Sequence, residues 1–160
     1  MAHYKALIRW QTDGGDFQRG RYGRAHSWTF DGGVRVPASS APSVVPEPYS
    51  DPRGVDPEEA LVAAIASCHM LSFLYVAAKA GYSVISYEDE AVGSMSKNEH
   101  GVAWVSETVL SPSITYEGDP PSEQDEDALH EQAHHECFIA QSVKTRIRTT
   151  PTRDRRRTLD

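Results

Sequence analysis

From Ala60 to Ala78 the chain runs 19 residues without a charge, and this run restricts the fold more than any other feature. As a helix it would extend roughly 28 Å at 1.5 Å per residue, which is also about the thickness of a bilayer core. Its chemistry points elsewhere. The run is rich in Ala and Ser and carries His69 near its middle. Acidic residues precede it and Lys79 follows it, a charge order that matches the two ends of a helix dipole. Asp56 reads as the N-cap, Pro57 as the first helical residue and Glu59 as the reciprocal partner of a capping box. Gly81 supplies the stop. The segment is therefore expected to be the central helix of a packed core rather than a membrane span. A helix apolar on every face needs cover on the side turned away from its own sheet. A symmetric dimer is the expected source of that cover, with the proline-rich loop as the alternative.

The remaining segments alternate rather than repeat every three or four residues. HYKALIRW, HSWTF and VRVPA read as three strands, with the Gly-rich TDGGDFQRGRYGRAH between the first two. Ala38 to Gly54 is a long Pro- and Ser-rich loop, and loops of that length in compact domains are often functional. After the helix, SVISYEDEAVGSMSK and GVAWVSETVLSPSITYE read as two strands around a turn at Asn98–Gly101. A polar helix with an acidic start, a short helix entered at Cys137 and a last strand, TRIRTT, follow. The order βββ–α–ββ–α–α–β predicts an α+β fold, a mostly antiparallel sheet packed on one long hydrophobic helix. Residues 1–150 are expected to form a single domain, and 151–160 a basic, solvated tail containing Arg153, Arg155, Arg156 and Arg157.

A net charge of -7 argues against general nucleic-acid binding. The opening MAHYKALIRWQ alternates like a strand and does not read as a signal peptide. Two cysteines without an export signal point to the reducing cytoplasm, where a disulfide would be transient.

Those two cysteines are the candidate chemistry. Cys68 lies inside the apolar helix, and Cys137 opens a second apolar stretch, CFIAQSVK, after a histidine-rich one. A buried thiol is commonly inert packing. Two thiols that meet in space can instead form the attacking and resolving pair of a redox enzyme. A mid-helix thiol gains nothing from the helix N-terminus, and apolar burial disfavours its thiolate. A cation is therefore needed, and Arg21, Arg24 and Arg53 are the candidates, with Glu58 able to fix one of them by a bidentate pair. Glu58 lies ten residues from Cys68, roughly 15 Å along a helix, too far for direct contact.

Three other motifs are weaker. His130-Glu131-Gln132-Ala133-His134 matches the HExxH signature of zinc peptidases. No glutamate follows Glu136, a Cys stands at 137 where one peptidase class needs Gly, and the helix is polar. A surface histidine pair is the expectation, with a metal at His130, His134, His135 or Cys137 and a zinc metallopeptidase as remote alternatives. GDFQRGRYGR lacks the strand–turn–helix context of a phosphate loop, so no nucleotide is expected. Trp10, Trp28 and Trp104 sit at strand positions and are expected to be core or interface residues.

VDPEEALVAAIASC resembles the PEE…C segment of the OsmC/Ohr family, the osmotically inducible and organic hydroperoxide resistance proteins. GRYGRA is similar to the Gly-Arg-x-Gly-Arg stretch of its Ohr branch, and the position of Cys137 and the order of elements agree over roughly Lys5 to Arg148. The resemblance implies an intertwined homodimer that reduces organic, alkyl or lipid, hydroperoxides as a thiol peroxidase in oxidative stress defence. It implies Cys68 as the peroxidatic and Cys137 as the resolving cysteine, Glu58 as the holder of a catalytic arginine, and Arg21 as that arginine, with Arg24 the alternative. No cofactor is implied beyond an external dithiol reductant of lipoyl or thioredoxin type, and no membrane or nucleic-acid partner. Two departures mark a divergent branch: Phe-Ile-Ala-Gln follows Cys137 where the family has Pro-x-Ser, and His69 stands where an aromatic is usual. The rival expectation is a non-enzymatic protein of the same fold whose pocket holds an apolar ligand.

Overall fold

A computed structural model describes residues 1–153, so the expectation for the arginines beyond Arg153 lies outside the described residues. The chain divides into two compact units, 1–60 and 61–160. The first is a three-stranded antiparallel sheet of β1 (Ala6–Arg9), β2 (His26–Phe30) and β3 (Arg35–Ala38), in the order β1-β2-β3. A short 3-10 turn, Phe17–Arg19, lies in the Gly-rich connection. The long loop is pinned to the end of β3: Ser39 N donates to Val55 O, and Asp51 N donates to the Ser39 hydroxyl.

Helix α1 spans Pro57–Lys79. Its start follows from local side-chain chemistry. Glu59 N donates to Asp56 Oδ1 at 2.8 Å, and Asp56 N donates to Glu59 Oε2 at 3.1 Å, the two halves of a capping box. Gly81, at φ +90°, ends it in a conformation that glycine adopts without strain.

In the second unit, β4 (Ser83–Asp89) pairs antiparallel with β7 (Pro112–Glu117). A separate sheet has the order β5-β6-β8, from Val92–Lys97, Ala103–Leu110 and Arg146–Thr149, with β5 antiparallel and β8 parallel to β6. The two expected strands after α1 are thus four. The chain breaks at Glu90–Ala91 and again at Ser111, where the Asp89 carboxylate accepts Ser111 N–H at 2.6 Å and passes each ribbon from one sheet to the other. Helix α2 (Glu123–Glu136) is capped by Ser122, whose hydroxyl accepts Asp125 N–H. CFIAQSVK is not the expected helix: only Ala140–Ser142 makes a 3-10 turn, and Cys137 is the C-cap of α2.

The core of this unit joins Phe73, Val76 and Ala77 of α1 to Leu129 and Ala133 of α2, with tyrosines and aliphatics of β4 and β7 packed against them. Phe73 is fully buried, and its truncation to Ala would cost about 3–5 kcal/mol. Arg153, expected to belong to a solvated tail, is instead anchored. Its guanidinium pairs with Glu126 at 3.1 Å, with Glu123 and with Asp127, opposite the acidic first turns of α2. Glu126 also accepts the Tyr116 hydroxyl, which ties β7, α2 and the chain end into one network.

Candidate active site

Two groups of functional side chains emerge, one in each unit. In the second, Cys68 of α1 and Cys137 at the end of α2 are both free thiols, close enough to influence each other's ionisation. The Cys68 sulfur receives the backbone N–H of Ile139 at 3.5 Å, and the Cys137 sulfur receives that of Ala140 at 3.4 Å. The non-helical turn after Cys137 is what presents these amides. Burial pushes the Cys137 thiol up to about 11, and the neighbouring Cys68 sulfur pushes in the same direction. Cys137 therefore keeps its proton at neutral pH. The Ile139 amide is directed at the Cys68 sulfur and the Ala140 amide at that of Cys137.

The same unit holds a feature that the sequence did not suggest. His69 and His130 are buried, with His69 Nε2 and His130 Nδ1 3.0 Å apart. Burial, chiefly, lowers both to about 4, so both are neutral at physiological pH. The HEQAH stretch is thus not a surface pair: His130 points inward and its Nδ1 is engaged by His69. Among the described residues, no group of three or more His, Cys, Asp or Glu side chains is placed to hold a metal ion. Spacing gave a usable signal, since Glu126, Leu129, His130, Ala133 and Cys137 repeat every three or four residues and form the buried stripe of α2.

In the first unit an apolar cavity of about 490 Å³ is lined by Trp10, Phe17 and Tyr22 on one side and Val44 of the long loop on another. Arg24 and Glu58 are charged members of the same lining. The Phe17 and Tyr22 rings stack at 4.4 Å, and Trp10 meets Tyr22 edge-on at 5.6 Å. Trp10 is thus a cavity residue beyond the end of β1, and its indole N–H donates to Gly23 O at 2.9 Å, closing the Gly-rich connection over the sheet. Arg24 is held from several sides. Its guanidinium lies 3.7 Å from the Tyr22 ring centre and donates to the carbonyls of Gly20, at 2.8 Å, and Tyr22. Its own carbonyl accepts from His26 Nδ1, because His26 Nε2 is occupied as the acceptor of Trp28 Nε1–H.

The arginine expectation shifts accordingly. Arg21, preferred from the sequence, is exposed, and its backbone bridges to Asp16 across the 3-10 turn. Arg24, the alternative, is the one that lines the cavity with Glu58. Arg53 is exposed and forms a bidentate pair with Asp51. Among the described residues Glu58 makes no ion pair, and the expected bidentate Glu58–arginine pair is not seen there. The spacing of glycines in GRYGRA could not separate Arg21 from Arg24, because the choice depends on a turn closed by Trp10 from outside the motif.

Comparison with known proteins agrees with this architecture. The model of the OsmC-like protein family matches residues 50–152. An OsmC-like protein of unknown function from Vibrio cholerae shares 45% identity over 95% of this chain and 100% of its own, with a TM-score of 0.90. The organic hydroperoxide resistance protein OhrB of Bacillus subtilis shares the fold at 18% identity, over 94% of this chain and 98% of its own, with a TM-score of 0.67. An organic hydroperoxide resistance protein OsmC from Legionella pneumophila does so at 15% identity, over 96% and 100%, with a TM-score of 0.70. A comparison with curated proteins gives no match. The α+β architecture, the paired thiols and these likenesses converge: the chain belongs to the OsmC-like protein family.

Proposed function

We propose that the protein is a thiol-dependent peroxidase that reduces organic hydroperoxides by a two-cysteine mechanism. The observation that carries this reading is the proximity of the Cys68 and Cys137 thiols, with the Ile139 amide directed at the Cys68 sulfur. The Cys68 thiolate attacks the distal oxygen of ROOH, the O–O bond breaks, and the alkoxide leaves as ROH after taking up a proton. Cys68 is then a sulfenic acid. Its condensation with the Cys137 thiol forms the disulfide and releases water. An external dithiol, of lipoyl or thioredoxin type, returns both thiols by exchange. No cofactor is required.

The catalytic set we propose is Cys68, Cys137, an arginine of the GRYGRA stretch and Glu58. Arg24 is favoured over Arg21 because it, and not Arg21, lines with Glu58 an apolar cavity suited to an alkyl or aryl chain. The protein is proposed to work in the cytoplasm, where dithiols are reduced, as a homodimer and without nucleic-acid or membrane partners. The aromatic cavity favours one competing reading, a binder of an apolar ligand with structural cysteines. Titrating the reduced protein with cumene hydroperoxide while counting free thiols decides between them. Two thiols lost per equivalent support the peroxidase, and a titration that consumes none leaves the binder.

A further inference from the structure

Each cysteine shares a helix, or its end, with one member of the buried imidazole pair. His69 directly follows Cys68 on α1, and His130 precedes Cys137 by seven residues, two turns, on the same face of α2. His69 is 1% and His130 4% exposed, and their ring planes are 11° apart. Phe73 stacks on His130 at 4.3 Å. A bond between Nε2 of one ring and Nδ1 of the other requires one donor and one acceptor, so it selects complementary tautomers. The outer nitrogens, His69 Nδ1 and His130 Nε2, have no hydrogen-bond partner among the described residues. Leucines at both positions would fill the space and leave no polar atom unpaired. The pair is therefore a poor device for stability alone. What it adds is direction. Phe73, Val76, Ala77, Leu129 and Ala133 make the rest of this helix contact, and apolar contacts do not by themselves fix how far one helix slides along another.

We infer that the His69–His130 pair is a positioning device: it sets the register of α2 on α1 and thereby holds the Cys137 thiol against the Cys68 sulfur for disulfide closure. This rests on the two-cysteine reading of the thiol pair. Neither imidazole takes part in the bond changes. They act on the second step, in which the Cys68 sulfenic acid and the Cys137 thiol become a disulfide and water, and leave the first step to Cys68.

The test separates the two steps in the full-length protein. Reduced wild type, His69→Leu and His130→Leu are mixed with one equivalent of cumene hydroperoxide, with dimedone present to trap sulfenic acid. Formation of sulfenic acid should be little changed. Disulfide closure should slow at least about tenfold, with the dimedone adduct accumulating, because displacements near 1 Å can cost about a hundredfold in rate. His69→Gln and His130→Asn place an amide atom where Nε2 and Nδ1 lie, and they should recover most of the closure rate. Where melting shows a leucine variant unfolded, His69→Phe, which keeps a ring in the cavity, takes its place. Diamide supplies the control: it oxidises the two thiols to the disulfide while its N=N bond is reduced to the hydrazine, with no peroxide involved. Wild type that closes with diamide but not with cumene hydroperoxide ends the peroxidase reading, and the histidine pair is then judged on the diamide rate. Folded leucine or phenylalanine variants that close at the wild-type rate with both oxidants overturn the inference. So do Gln and Asn variants that are as slow as the leucine ones.

Discussion

The backbone N–H of Ile139 is directed at the Cys68 sulfur from 3.5 Å. It is available because the chain leaves α2 at Cys137 in an extended conformation and does not continue as helix, so the next amides turn back toward α1. The thiol roles proposed above rest on this asymmetry and are tested by single substitutions. Cys68→Ser should abolish thiol-dependent consumption of cumene hydroperoxide, since the nucleophile is lost. Cys137→Ser should consume about one equivalent and stop, leaving a sulfenic acid that dimedone labels. Equal single-equivalent behaviour in both variants would reverse or erase the assignment.

The arginine assignment is tested by a pair of substitutions. Arg24 lines the apolar cavity with Glu58 and is braced by Tyr22, whereas Arg21 is exposed. Arg24→Ala should lower kcat/KM for cumene hydroperoxide by about tenfold or more, the scale of one lost charged contact to a polar head group. Arg21→Ala should leave it nearly unchanged. Steady-state consumption with a dithiol reductant reads both, and the opposite order would return the role to Arg21.

The long helix and its start were legible in the sequence because their determinants are local: a capping box closes over three residues and an uncharged run over nineteen. The thiol pair was legible only as a possibility, since it joins positions 69 residues apart. The strand breaks were not legible. Asp89 holds Ser111 from 22 residues away, and each ribbon alternates smoothly through its break. The inward turn of His130 was hidden by the polarity of α2, where only four buried positions, Glu126, Leu129, His130 and Ala133, betray the packed face. The choice of Arg24 depends on Trp10 reaching Gly23, again a contact between distant residues.

Stability should fall in acid through the histidine pair. His69 and His130 are both lowered to about 4, mainly by burial, with His134 facing His69 and Asp127 and Arg153 facing His130. Both would titrate near 6.5 in the unfolded chain. Between about pH 6.5 and about 4 the unfolded state binds more protons, so stability is fully present above the unfolded value and is lost as pH falls toward the folded one. At most two protons are involved, a limiting slope of about 2.7 kcal/mol per pH unit. Urea unfolding from pH 7.5 to 4.5 should show a loss that His69→Leu/His130→Leu largely removes. A double variant with the wild-type pH dependence would place the titration elsewhere.

Assembly is tested by the exposed face of α1. Ile65, His69, Phe73, Val76 and Ala77 are buried within the chain, but Leu71 is 61% and Tyr75 55% exposed. Val92 and Met95 of β5 are exposed as well. Large apolar side chains left open on a helix this hydrophobic carry a transfer cost of roughly 1.5–3 kcal/mol each, which a partner surface removes. A second copy is the occupant expected of a two-fold assembly. Sedimentation equilibrium at micromolar concentration should therefore give the mass of a dimer, consistent with an obligate interface above about 2,000 Å². Leu71→Glu with Tyr75→Glu should shift it to monomer, because burying two uncompensated carboxylates opposes association strongly. A wild-type monomer at these concentrations would mean that the face stays open in solution, and a dimer insensitive to both charges would place the contact on another surface.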